Sequence, residues 1–182
     1  MPRRAKLVRK EGGLVPSPGD GWFVVNARKT LWYENERFGR TCSFEGEPKF
    51  PHFGINLQVL EPGQPNCMYH GESDQEDFLV LSGSCLLLIE EKEIRLEAWD
   101  FVHCPPMTNH VFVGAGTGPC VILMTGARRP RGKIVYPVSR LARRHGAGVA
   151  VETPKPKAAY ADSPRWKPLG GDAPLPRGRE RR

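Results

Sequence analysis

The sequence has no apolar run approaching the length needed to cross a bilayer, which excludes a helical membrane span within it. Its basic start, MPRRAKLVRK, is followed by no apolar stretch of the kind a secretory signal requires, so it reads as a cytoplasmic protein. No C-x-x-C pair occurs, and the cysteine count of five is odd. That pattern argues against a disulfide framework and against a zinc knuckle, and reduced thiols fit the cytoplasm. Phosphate-cradling and hydrolase signatures are missing too: there is no G-x-G-x-x-G, no P-loop and no G-x-S-x-G. No internal repeat is present.

What the sequence does have is punctuation. Its 20 glycines and 18 prolines in 182 residues argue for many turns and little helix. Hydrophobic residues make up 39%, enough for one core of ordinary size and not for two. The net charge of +7 conceals an acidic body with basic ends. Residues 1–10 carry five Lys/Arg and no acids, residues 127–182 carry fifteen Lys/Arg against four acids, and the stretch between is acidic.

Residues 1–20 read as a loose basic arm closed by a turn, SPGDG, at 17–21. WFVVN (22–26) reads as a first strand, and 27–54 as a long, partly ordered connection. From Gly54 the pattern becomes regular. Strands are expected at 55–60, 67–72, 76–81, 84–90, 92–96, 99–104, 110–114 and 120–126, with turn signals between them. Short strands at such close spacing indicate an all-β sandwich or barrel. Cys85 and Cys120 fall in apolar runs and look like small core residues. Beyond Gly126, residues 133–138 offer one more strand, and VSRLARRHG (138–146) a short helix with Ser139 as its N-cap. From about Thr153 the chain is rich in Pro, Lys and Arg and too poor in aliphatic residues to fold alone. Tyr160 and Trp166 are its candidate anchors, to the domain or to a second subunit.

The chemistry lies between 70 and 110. Side chains at i and i+2 share one face of a strand, so His70 and Glu72 point the same way. Glu76 begins the next strand, and His110 begins a later one after a Pro-rich turn. Four donors thus gather near the ends of neighbouring strands. Neutral imidazole and carboxylate suit Zn, Fe(II) or Mn, and the hard second oxygen moves preference away from Cu. Without an ion, Glu72 and Glu76 repel each other, and one of them should have a raised pKa.

The arrangement resembles the cupin superfamily. Its first motif, G-x5-H-x-H-x(3,4)-E-x6-G, matches here at Gly63, His70, Glu72, Glu76 and Gly83, with six residues instead of five after Gly63 and Glu72 in place of the second histidine. The second motif, G-x5-P-x-G-x2-H-x3-N, matches at Pro105 and His110, with Trp99, Met107 and Gly114 at its other fixed positions. The resemblance covers about residues 55–126 and is closest to single-domain, type-2, RmlC-like cupins. It implies a jelly-roll, or double-stranded β-helix, barrel over 21–132, with a C-terminal strand, short helix and basic extension over 133–182. It implies a divalent-metal site of His70, Glu72, Glu76 and His110, and a homodimer. It also implies small-molecule chemistry of the oxygenase, decarboxylase or isomerase type.

Other readings stand beside this one. Glu72 could be a general base beside a three-ligand ion. The barrel could hold a small molecule without catalysis and without metal, as a sensing module. The basic tail could contact nucleic acid through phosphates, although it lacks the interleaved aromatics of a single-strand platform. No helix-turn-helix pattern precedes the barrel. Tyr69 reads as packing, and Asp74 and Asp77 as solvated turn residues. His103 reads as a satisfied structural histidine and Cys104 as a packed thiol. Met68 and Met107 read as filler near a pocket.

Overall fold

The alternation of apolar and polar residues over 55–126 becomes two facing β-sheets. A computed structural model of the chain describes residues 1, 3–18, 21–47 and 49–176. Strands β1 (Arg3–Arg4), β2 (Leu7–Lys10), β3 (Gly13–Pro16), β4 (Gly21–Trp22), β5 (Leu31–Asn35) and β6 (Gly39–Ser43) come first. The central series is β7 (Phe53–Leu60), β8 (Gly71–Glu72), β9 (Glu76–Ser82), β10 (Ser84–Ile89), β11 (Lys92–Glu97), β12 (Phe101–Cys104), β13 (His110–Ala115) and β14 (Cys120–Ala127). Strand β15 (Ile134–Val135), helices α1 (Arg140–Arg144) and α2 (Pro156–Ala159), and strand β16 (Lys167–Pro168) complete it.

The larger sheet has the order β12-β9-β14-β7-β6-β5-β16, and the smaller β11-β10-β13. This is an all-β jelly roll. Between the sheets, Leu60, Phe78, Val80, Ile122 and Met124 meet Cys85, Leu87, Leu96 and Phe112 in one buried cluster. Cys85 and Cys120 are fully buried, as their apolar runs predict. Beside the smaller sheet, His70 and His110 form a single bridge, β8 and β15 a separate two-stranded pair, and Tyr136 and Thr153 another single bridge. Residues from the C-terminal part of the chain therefore flank the segment that carries His70.

The two motif positions where glycine is replaced keep a glycine-like backbone. Trp99 has φ +80° and Met107 φ +67°, the left-handed region that strains any residue with a Cβ. Gly83 also sits there, at φ +74°, and a Cβ on it would lie 2.4 Å from the Pro119 carbonyl oxygen.

Four expectations are corrected. The first twenty residues are not simply loose: β2 and β3 form a hairpin, and Val15 is buried, because Leu14 bridges Thr30 at the start of β5. The turn expected at 17–21 falls partly on residues 19 and 20, outside those described. The strand expected at 22–26 stops at Trp22, since its one partner is the two-residue β1, and Val24 is left exposed. Asn26 instead caps a 3-10 turn over Ala27–Lys29. The connection expected at 27–54 holds β5 and β6, which join the larger sheet because Trp32 and Cys42 bury against Leu57, Val59 and Val121.

The fourth correction concerns the C-terminal extension, which packs on the jelly roll as far as it is described. β16 pairs with β5, and Leu169, Ala173 and Leu175 pack against the cluster around Trp32. Tyr160 is an anchor within this same chain, whereas Trp166 is 41% exposed. Helix α1 forms where expected, with the Ser139 hydroxyl accepting from the Ala142 amide.

Candidate metal centre

His110 opens β13, and its backbone exchanges two hydrogen bonds with His70: His70 N to His110 O at 3.2 Å, and His110 N to His70 O at 2.8 Å. Residues paired this way across antiparallel chains project side chains to the same face. Both imidazoles therefore enter the space between the sheets, with ring centroids 5.2 Å apart. Glu76 arrives from the opposite sheet, on the same face of β9 as buried Phe78 and Val80. Gly126 lies across from it on β14, leaving room for the carboxylate. The Phe78 ring packs 5.1 Å from His110 and 4.7 Å from Phe112, fixing the floor.

One donor atom from each of His70, Glu76 and His110 lies within 4.8 Å of the others. The ring orientations are decided by the backbone. His70 Nδ1 donates to the Met68 carbonyl at 2.7 Å, and His110 Nδ1 to the Thr108 carbonyl at 3.0 Å. Each bond leaves Nε2 as the lone-pair donor facing the cluster, the arrangement that orients imidazole ligands in metal sites. The two buried Nε2 atoms lie 3.6 Å from Glu72 Oε1 and Glu76 Oε2 respectively, longer than a hydrogen bond. A compact set of nitrogen and oxygen donors at that spacing suits a divalent ion.

Glu72 differs from the other three. It neighbours His70 as strand parity predicts, but it lies outside the three-donor group, and its side chain is 37% exposed at the rim.

The four groups perturb one another's titration. Burial, then the charge of Glu72, pushes Glu76 up to about 7, so Glu76 is the raised member of the carboxylate pair. The His70 imidazole beside it holds Glu72 below its ordinary value. Burial, then His70, pushes His110 down to about 4. Burial also works against a charged His70, but the Cys67 sulfur, Glu72 and Glu76 outweigh it and hold that imidazole well above its ordinary value.

The cluster opens into a cavity of about 350 Å3 whose wall includes Thr41, Asn56, Asn66, Thr125, Glu45 and Arg128. Arg128 forks onto Glu45 at 2.6 and 2.9 Å. None of these wall residues was singled out from the sequence. Their signal is weak, because they come from separate strands and no spacing relates them.

The other sequence-stretch residues resolve individually. Tyr69 is buried on the opposite face, in the cluster with Leu88 and Leu141. Asp74, expected to be solvated, is buried and pairs with Arg129 at 2.9 Å, which ties down the 129–133 loop. Asp77 pairs with His103 at 2.7 Å, so His103 is a satisfied structural histidine. Cys104 is buried, and burial pushes its thiol up to about 12, far from a reactive thiolate. Met68 is core, and Met107 is a half-exposed turn residue.

Residues 56–126 match the cupin domain family. That segment is a cupin domain. No curated protein matches the sequence. Among solved structures, a putative sugar phosphate isomerase from Acidithiobacillus ferrooxidans is 32% identical, over 46% of this chain and 55% of that one, with a TM-score of 0.44. A cupin-superfamily sugar phosphate isomerase from Silicibacter pomeroyi is 26% identical, over 52% of this chain and 62% of that one, with a TM-score of 0.48. An RmlC-like cupin with a double-stranded β-helix fold from Methanocaldococcus jannaschii is 17% identical, over 45% of this chain and 75% of that one, with a TM-score of 0.42. The cupin thus spans less than two thirds of the length of the first two.

Proposed function

We propose that this cupin holds one divalent ion, Zn, Fe(II) or Mn, on His70, Glu76 and His110, and uses it on a small polar molecule in the adjoining cavity. The observation that carries the reading is the pair of imidazoles locked by backbone carbonyls, with one donor atom from each of them and from Glu76 within 4.8 Å of one another. A bound ion there would supply Lewis-acid or redox chemistry of the oxygenase, decarboxylase or isomerase kind. The chain's own residues orient and protect the molecule. Phe78 and Phe112 keep water from the floor, and the amides and hydroxyls of Asn56, Asn66 and Thr125 offer hydrogen bonds along the wall. Glu72, beside the cluster and part-exposed, is the candidate general base in this reading.

A homodimer fits the free edge of the larger sheet at β12, where Trp99 and Phe101 are exposed, and sedimentation measures it. Among the described residues no helix is long and apolar enough to cross a membrane.

Elemental analysis of untagged protein tests the reading. About one ion per chain is expected in wild type, none in His110→Ala, and an undiminished content in Glu72→Ala. No ion in reconstituted wild type would overturn it and leave a metal-free ligand-binding barrel.

A further inference from the structure

His70 is not held by the jelly roll alone. Its ring depends on the Met68 carbonyl, and Met68 is in turn held from the C-terminal extension. The Tyr160 hydroxyl, at the end of α2, accepts a hydrogen bond from the Met68 amide at 3.1 Å. Tyr160 is fixed by aromatic contacts on two sides. It meets Phe38 edge-on with centroids 5.5 Å apart, and Tyr136 at 5.8 Å and 89°. Tyr136 itself packs 5.7 Å from the His70 ring. Met68, Phe38, Tyr136 and Val149 form one buried cluster around these contacts, with Tyr160 packed against it. A separate bond, Tyr69 N to the Ala147 carbonyl at 2.7 Å, ties the next residue to the segment after α1. The stretch 67–70 is thus lined by residues 136–160 on the side away from the cavity.

The geometry points to Tyr160 as a positioning residue for the metal site, acting on His70 through the Met68 backbone. This inference rests on the reading of His70 as a ligand, and it adds that the extension is part of the site's support. His110 has no such dependence, since its carbonyl partner Thr108 and its strand β13 belong to the central series. The two histidines therefore provide an internal control. Removing the Tyr160 hydroxyl leaves the Met68 amide without its partner and loosens residue 68 on its N-terminal side, so that the following peptide, whose Met68 carbonyl aims His70, is held only by the Tyr69 amide on Ala147.

The test is Tyr160→Phe in the full chain, with Leu175→Ala as a control that loosens the extension at the Trp32 cluster, away from His70. In metal-free protein labelled at histidine, Tyr160→Phe should move or broaden the His70 ring resonances and leave those of His110 in place. Amide exchange at Met68 should speed up. In a Co(II) titration the variant should bind about tenfold more weakly at unchanged stoichiometry. Leu175→Ala should do none of these. Unmoved His70 resonances, or equal disturbance of His70 and His110, would overturn the inference. The resonance and exchange measurements need no metal. A wild type that binds no Co(II) would therefore defeat the metal reading while the positioning role is still decided.

Discussion

His110 and His70 face each other across one pair of hydrogen bonds, yet different parts of the chain hold them. His110 opens a six-residue strand whose whole length is laddered to β10, and its side chain is 1% exposed. His70 sits on an isolated bridge, beside a two-residue strand whose partner, β15, comes from beyond residue 126. Both histidines fall within the matched 56–126 segment, but only His70 is flanked by what the chain adds beyond it. A β jelly roll can thus hold one side of a residue cluster in its strand ladder and support the other from outside.

Breaking the His110 side should be the more drastic. Phe112 is fully buried against Phe78 and His110. Phe112→Ala should cost about 3–5 kcal/mol in urea unfolding and disturb both histidines together. Breaking the His70 side should be gentler and more selective. Ser139→Ala removes the cap of α1, which carries buried Leu141 and Ala142. It should cost about 1 kcal/mol and, through Ala147 and Tyr69, disturb His70 before His110. Relieving backbone strain sharpens the contrast from the other direction. Met107→Gly removes a Cβ from a left-handed position in the turn leading to His110, and should raise stability by up to about 1 kcal/mol without touching the His70 resonances. The smallest effect is expected at the cavity wall. Burial works against a charged Glu45, but Arg128 and the Phe50 amide outweigh it and hold that carboxyl below its ordinary value of 4.5. A depressed carboxyl adds stability above its unfolded value that is lost as pH falls through the folded one. Wild type should therefore lose more stability than Glu45→Gln between about pH 4.5 and lower values, as read by thermal melts.

The same contrast describes what the sequence made legible. The central series reads well because residues such as Phe78, Val80, Ile122 and Met124 alternate with outward residues between clear turns. His70, Glu76 and His110 follow from strand parity taken together with the motif resemblance. The supporting shell does not. Leu31 and Trp32 are buried side by side, and Phe38 and Cys42 stand among charged and polar neighbours, so β5 and β6 carry little periodic signal. Tyr160 docks in one cluster and Leu169 and Leu175 in another, and no local period relates them. Their burial is a tertiary matter, decided by a surface already formed. Parity also placed Glu72 beside His70 correctly but could not show that it stays at the rim, because a strand's face says nothing about depth.

The most direct measurement adds one equivalent of Zn(II) to the protein labelled at its five histidines. The account predicts that the ring resonances of His70 and His110 move together, with His52, His103 and His145 unchanged. Movement of the surface histidines alone, or of none, would contradict it.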